Sequence, residues 1–530
     1  MRCSIRWFSA ALAFSPGVAF AGDLAPAKTW NVQRAGHLLR RTGFGGTPEG
    51  VLALYRMGLT QAVDALLTPD PPAEPADVFP CSQVEHPQKL RRFLREQLEP
   101  QRRAIRQQLR SVDQGELAML RAWWLRRMVE TPDPFREKMT LFWHGHFTTG
   151  AQEVHATRLI AEQNELLRKL STERFGDLLR GICRNPAMLR YLDNVSNRKQ
   201  HPNENFAREL LELFTLGAGH YTETDIQEAA RALTGWTFDE EGFRFRRSWH
   251  DDGIKTFLGK TGRLDGDDII RIILEQPATA EHLARKLVLF FVRDDPPEAL
   301  VHGLADSLRR TDFDIRASMR TLFVSEAFYQ SAVNTHIKSP VELVVGTLRS
   351  LRYRNVDYFA MSEQLRSMGQ VLFQPPNVKG WDGGRKWISS ATVFRRRQFL
   401  GSLLTPPPQR AVERRRNKIK KLARIKKELQ ERLPDDIGLH VSPGPSESIQ
   451  GVPFDPTTLL AGKNQWRVGD AVDRLADVLL QRPLSTDQRR RLIGILGTPA
   501  ETIPVNRGQS RRRLKPLMRA MAALPEFQLD

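Results

Sequence analysis

Apolar residues recur at spacings of three and four along most of this 530-residue chain, and alternating runs are few. Leu117, Leu120, Trp124 and Met128 mark one such stripe. Leu283, Leu287, Phe290 and Phe291 mark another, and Val341, Val344, Val345 and Leu348 a third. Each sets its apolar side chains along one face of an α-helix. Proline and glycine punctuate the stretches. The expected fold is mainly α, a large irregular multi-helix globular fold with few short strands. Phe243-Arg244-Phe245 and the stretch around Trp236 suit a small hairpin. No repeat in the range of about 20–50 residues recurs, which excludes a solenoid.

Local signals refine this outline. Arg34 to Leu67 reads as two helices around the turn Thr42-Gly43-Phe44-Gly45-Gly46. That turn is no phosphate loop, because no Lys-Ser or Lys-Thr pair follows it. Pro69 to Pro80 is a proline-rich connection, and Lys89 to Arg110 is a basic, exposed helical stretch broken or kinked near Pro100. Thr405-Pro406-Pro407-Pro408 interrupts the chain. Arg410 to Arg432 then carries eleven basic and three acidic residues, with Ile419, Leu422, Ile425 and Leu429 at helical spacing. This is a basic amphipathic helix. The expected organisation is a leader over 1–21, a helical main body over 22–404, the basic helix with its Pro/Ser/Gly loop over 405–455, and a C-terminal helical part over 456–530 that packs on the body.

The N-terminus changes the expected compartment. Arg2 and Arg6 precede an apolar run from Trp7 to Phe20, and Ala19-Phe20-Ala21 fits a small-x-small cleavage site. This pattern is that of a secretory signal peptide, so the protein is expected to be periplasmic or secreted. The remaining sequence has no apolar run of the roughly 18 residues a membrane-spanning helix needs. After cleavage Cys81 and Cys183 remain, able to pair in an oxidising compartment or to stay as two buried thiols. The net charge is +19. Outside the cytosol such a charge points to an anionic glycan or a cell-envelope polymer as partner. Nucleic acid is disfavoured, since export removes it and no reader motif is present.

The candidate chemistry is concentrated in a few polar motifs. His201 to Gly217 reads as a helix capped by Asn203 and ended by Gly217, with Phe206, Leu210, Leu213 and Phe214 as its apolar stripe. Glu204 and Arg208 can pair, while Glu209 shares a face with Asn205 and with Glu212. These carboxylates and amides either line a cleft for acid–base work or a divalent cation, or form an ordinary solvated helix face. His144-Gly145-His146 closes an apolar helix. Residues two apart point roughly 200° apart in a helix but to one side in a strand, so it is a metal pair or a hydrogen-bonded junction. His220 follows the glycine cap, and Thr222 with Asp225 forms a capping box for the next helix. His250-Asp251-Asp252-Gly253, followed by Lys255, is a polar turn with potential ligands. The segment Pro375 to Gly384 cannot be helical and presents Trp381, either as a platform for a sugar ring or as a pin to the core.

The order of these motifs resembles the bacterial domain of unknown function 1800 family. The pieces that carry the resemblance begin with His37 to Gly45, Phe142 to Phe147, Pro186 to Asp193 and Asn203 to Gly217. They continue with Glu228 to Trp236, His250 to Gly259, Pro277 to Ala280 with Arg285-Lys286-Leu287, and Lys338-Ser339-Pro340. Gly369 to Trp381 and Pro525 to Gln528 complete them. The resemblance implies a large, mostly helical, often exported bacterial protein with no established activity. It also implies a gene neighbourhood shared with an exported sulfatase-like family, and hence a possible sulfatase-like partner. Against the family pattern, 405–455 looks like an insertion.

Two functions follow as expectations. The first is an extracytoplasmic enzyme acting on a polysaccharide or other polymer. Its catalytic groups would come from Glu204, Arg208, Glu209, His144 and Asp193. Asn194, Asn203, Asn205, Glu212, Lys255 and Trp381 would bind ligand, and a divalent metal, if used, would sit on His144, His146, His220, His250 and Asp251. The second is a non-catalytic module that grips an anionic glycan or envelope polymer through Arg410–Arg432.

Overall fold

In the computed structural model, residues 24–68, 79–331, 336–442, 452–505 and 508–530 are described. The expected leader over 1–21, most of the proline-rich connection and the middle of the Pro/Ser/Gly loop lie outside them. The architecture is mainly α, and among the described residues the strands form only two-stranded antiparallel sheets. Trp236–Asp239 pairs with Gly242–Phe245 in the hairpin that the sequence suggests.

The apolar stripes close into two hydrophobic cores. The first gathers the long helix Glu99–Glu130, the helix Pro340–Ser350 and the C-terminal helices Val468–Leu479 and Gln509–Ala522. The second gathers Val32–Gly43, most of Pro134–His146, and the helices from Phe175–Cys183 through Ile315–Val324. The N-terminal pattern read as two helices is three: Pro48–Met57 and Leu59–Leu67 are separated at Gly58, whose φ of 79° ends one helix before the next begins. The basic stretch after His86 breaks just before Pro100, which sits in the first turn of the long helix, where its missing N–H costs nothing.

Where the two cores meet, charged side chains are buried. Glu342, from the first core, accepts from Lys138 Nζ at 2.5 Å, lies 3.8 Å from Arg41 and faces His336 Nε2 at 3.3 Å. Asp530 lies 3.3 Å from Lys338, 3.6 Å from Arg41 and 3.8 Å from Arg40. Burial opposes ionisation of Glu342, but Lys138, His336 and Arg41 outweigh it and hold its carboxyl well below the usual range. A second knot ties Glu137 to Trp124 Nε1 at 2.8 Å, Arg127 at 2.5 Å and Arg168 at 2.7 Å. The first knot joins helices distant in sequence and so fixes how the cores are mated, while the second ties Glu137 to partners on neighbouring parts of the chain.

The basic helix Gln409–Arg432 lies along the long helix. Leu422, Ile425 and Leu429 are buried there, and a Cβ at Gly115 would come within 2.6 Å of Leu422, so glycine permits the approach. Lys426 is also buried, 2.8 Å from Glu116 and donating to Ser442 O at 2.7 Å. Arg414, Arg416, Lys418, Lys420, Lys421, Arg424 and Lys427 remain exposed.

Candidate functional site

The acidic helix begins as the sequence suggests and then departs from it. Asn203 Oδ1 accepts the N–H of Asn205, and Gly217 adopts a φ of 79° at the far end. Between them the α-helix Glu204–Glu209 passes into a π-helix, Leu210–Thr215, a rare widening that is frequent at functional sites. Thr215 Oγ1 donates to Leu210 O at 2.6 Å within that segment.

The amides that precede the helix are spent on structure. Asn194 is buried and donates to Trp236 O at 3.0 Å. Asn197 links Asn194 Oδ1 to Ala230 O, and its own Oδ1 accepts the N–H of Asn203 at 2.9 Å. Asn203 and Asn205 donate at 3.3 Å to the carbonyls of Asp193 and Leu192. Asp193 itself is exposed and sits at a φ of 58° in the turn. Glu204 pairs with Arg208 at 3.2 Å, and Arg208 also grips Glu223 at 2.8 Å on the surface.

Glu209 and Glu212 differ from these. Both are half-buried, and Glu209 makes no hydrogen bond or ion pair with a described residue. Burial and the neighbouring Glu212 raise its carboxyl above the ordinary range, only partly offset by Arg208. Glu212 accepts from Tyr221 Oη at 3.1 Å. Tyr191 is pushed up to about 12 by burial and by the charges of Glu153 and Glu209, and Tyr221 to about 12 by burial and Glu212. Two carboxyl groups in unlike surroundings, flanked by two phenols, suit proton transfer, with burial and the neighbouring carboxylate favouring the protonated form of Glu209.

The imidazoles have other partners. His144 and His146 are buried and diverge, as helical spacing requires. His144 Nε2 accepts the N–H of Phe373 at 3.1 Å, and its ring packs on Trp124, Phe373 and Trp381. Burial pushes it down to about 3. His146 Nε2 donates to Phe214 O at 3.0 Å, and His282 Nε2 donates to Leu213 O at 3.0 Å. These two carbonyls end the π segment, so the rings close it off. Lys286, four residues from His282, is half-buried with no hydrogen bond or ion pair among the described residues. Burial and the charge of Lys379 lower its pKa.

The remaining candidates scatter. His220 is exposed. His250 is buried and donates from Nδ1 to Thr234 O at 2.9 Å. Asp251 is tied to Arg231 at 2.8 Å, and Lys255 is buried with its ammonium on the carbonyls of Asp251 and Gly253. That turn is thus held by its own polar groups. Trp381 is half-buried against His144, and Gly380, at a φ of 86°, lets the loop approach Gly145 O. No group of three His, Cys, Asp or Glu side chains is gathered for a metal among the described residues. The residues named for a metal, His144, His146, His220, His250 and Asp251, are not brought together, because each buried one is already engaged with backbone or arginine. Cys81 and Cys183 are both free thiols.

Of the carboxylates singled out from sequence, the structure brings Glu209 and Glu212 together and sends Glu204 to a surface ion pair. Tyr191, Tyr221, Glu153 and Lys286 escaped sequence reasoning. Tyr191, Tyr221 and Lys286 stand inside or beside the motifs quoted above, but only the fold sets Tyr191 near Glu209. No described helix is long and apolar enough to cross a membrane.

These features define a two-core helical protein with a half-buried carboxyl–phenol cluster at a π-helical turn. The family model described as "Protein of unknown function (DUF1800)" matches residues 37–529. The chain belongs to this family. No curated protein and no solved structure matches it.

Proposed function

We propose that the protein is an exported enzyme that performs acid–base chemistry on a polysaccharide or related envelope polymer. Glu209 would act as the proton donor and Glu212 as the base, with Tyr191 and Tyr221 positioning them. The observation that carries this is Glu209, a half-buried carboxyl with no ion pair among the described residues, raised by burial and by Glu212. A purely structural carboxylate in this fold is treated otherwise, as Glu137 and Glu342 show. Export is supported by the basic, then apolar, then small-residue pattern of the first 21 residues. The test is release of reducing ends from a panel of peptidoglycan, alginate, chondroitin sulfate and dextran. Glu209→Gln and Glu212→Gln are each expected to lower turnover by about 10²-fold or more, the scale of a lost general acid or base. Activity unchanged in both variants would overturn the proposal.

A second reading, a polyanion-binding envelope protein, is favoured by one observation. The basic helix hides its apolar stripe against the long helix and leaves a row of lysines and arginines exposed. Removing 405–455 would uncover that core, so the test is charge reversal. Lys418→Glu, Lys420→Glu and Lys421→Glu together are expected to shift elution from heparin to lower salt. Unchanged elution would count against this reading.

A further inference from the structure

A cavity of about 540 Å³, lined by no residue of the acidic helix, opens where the helix Pro48–Met57 of the second core meets the first core. Its size falls within the roughly 300–1,000 Å³ of small-molecule sites. Four segments line it: the start of the helix Pro48–Met57, the turn Ser350–Asn355, the stretch Val452–Ala461, and the helix Val468–Leu479. Tyr353 and Phe454 meet edge to face at 5.6 Å and form an apolar wall, with Leu351, Leu459 and Val478 beside them.

The polar groups in this cavity are unbalanced. Arg352 and Arg474 share one carboxylate, Glu49, at 3.4 and 2.7 Å. Asp455 is occupied in capping the turn at Thr457. Arg354 makes no hydrogen bond or ion pair with any described residue, and it is exposed at the lining. Three guanidinium groups thus face one shared carboxylate and one capping carboxylate. Guanidinium is built to grip a planar or tetrahedral oxyanion through two parallel N–H groups. An aromatic wall next to it suits a flat apolar body.

We propose that this cavity is a binding site for a small organic anion, one carboxylate, sulfonate or phosphate group joined to a flat apolar portion. Arg354 takes the anionic group, and Tyr353 and Phe454 take the apolar part. The site is independent of the Glu209–Glu212 cluster.

The probes are 8-anilinonaphthalene-1-sulfonate and its uncharged counterpart N-phenyl-1-naphthylamine, titrated into the folded full chain and followed by fluorescence. Wild type is expected to bind the sulfonate in a saturable one-to-one fashion and more tightly than the neutral probe. Arg354→Glu is expected to weaken sulfonate binding at least ten-fold while changing neutral-probe binding less than two-fold. Thr458→Trp, at the exposed rim, is expected to block both. Neither variant removes a buried contact, and an unchanged thermal unfolding midpoint verifies folding. Absence of saturable sulfonate binding, equal weakening of both probes by Arg354→Glu, or full binding by Thr458→Trp would each overturn the proposal.

Discussion

Glu342 and Glu209 are both glutamates on helices, yet the fold uses them in opposite ways. Glu342 is enclosed between the two cores and surrounded by Lys138, Arg41 and His336, so it stays ionised. Glu209 is half-buried beside a second carboxylate, and Arg208, which could have neutralised it, is turned outward to Glu204 and Glu223. A carboxyl surrounded by cations holds structure together. A carboxyl deprived of them is pushed toward its protonated form. The difference teaches that burial alone does not mark a reactive group here; the missing counter-charge does.

The comparison can be broken most forcefully at Glu342. Glu342→Ala leaves Lys138 buried without its carboxylate and Arg41 with Asp530 alone, and is expected to cost about 3–5 kcal/mol, read as a lower guanidinium unfolding midpoint. Pairing Glu342→Leu with Lys138→Met should recover part of that loss, because no ammonium is then stranded. A midpoint unmoved by Glu342→Ala would show that the ionic layer is not what mates the cores.

Next is the effect of acid. Glu342 has a folded pKa below its unfolded value, so its stabilisation is present above the ordinary glutamate range and is lost as pH falls through the folded value. His144, pushed down to about 3, acts with the same sign: the unfolded chain takes up its proton first, and stability falls as pH drops from about 6.5 toward 3. Thermal unfolding followed from pH 7 to pH 3 should therefore show a steady decline, shallower in Glu342→Gln at the acid end.

Glu209 should behave in the contrary manner. Its folded pKa is raised, so protonation favours the folded state and its stabilising effect is lost as pH rises through that value. Glu209→Gln is expected to leave the unfolding midpoint at pH 7 unchanged or slightly higher, while lowering activity and removing the alkaline fall from the pH–rate profile of what remains. A marked loss of stability would place Glu209 with Glu342 as a structural carboxylate. The smallest effect belongs to Arg208→Ala, which removes surface pairs only and should leave the midpoint within experimental scatter.

Much of the fold was legible because its signals are local. The three- and four-residue apolar spacing predicts the helices, and caps at Asn203, Thr222 and Gly217 predict their ends. The hairpin at Trp236 followed from its aromatic and turn residues. The second break, at Gly58, was missed because one glycine in an apolar helical stretch is a weak signal. The π segment was missed because its residues match an α-helix equally well. What closes the end of that turn is tertiary: His146 and His282 arrive from two other helices to take the carbonyls of Phe214 and Leu213. Likewise the spacing of Glu204, Arg208, Glu209 and Glu212 cannot tell which carboxylate Arg208 will neutralise. That choice was made by Glu223, on the next helix.

Helix content, the apolar faces, the capping residues and the basic amphipathic stretch were settled by the amino-acid order alone, since each rests on neighbours within one or two turns, and the family by the order of motifs along the chain. The tertiary structure decided which charges are buried with partners, which carboxyl is left without a counter-charge, and where a cavity opens. Those outcomes depend on desolvation and on side chains brought close from distant segments, quantities that exist only once the helices have packed.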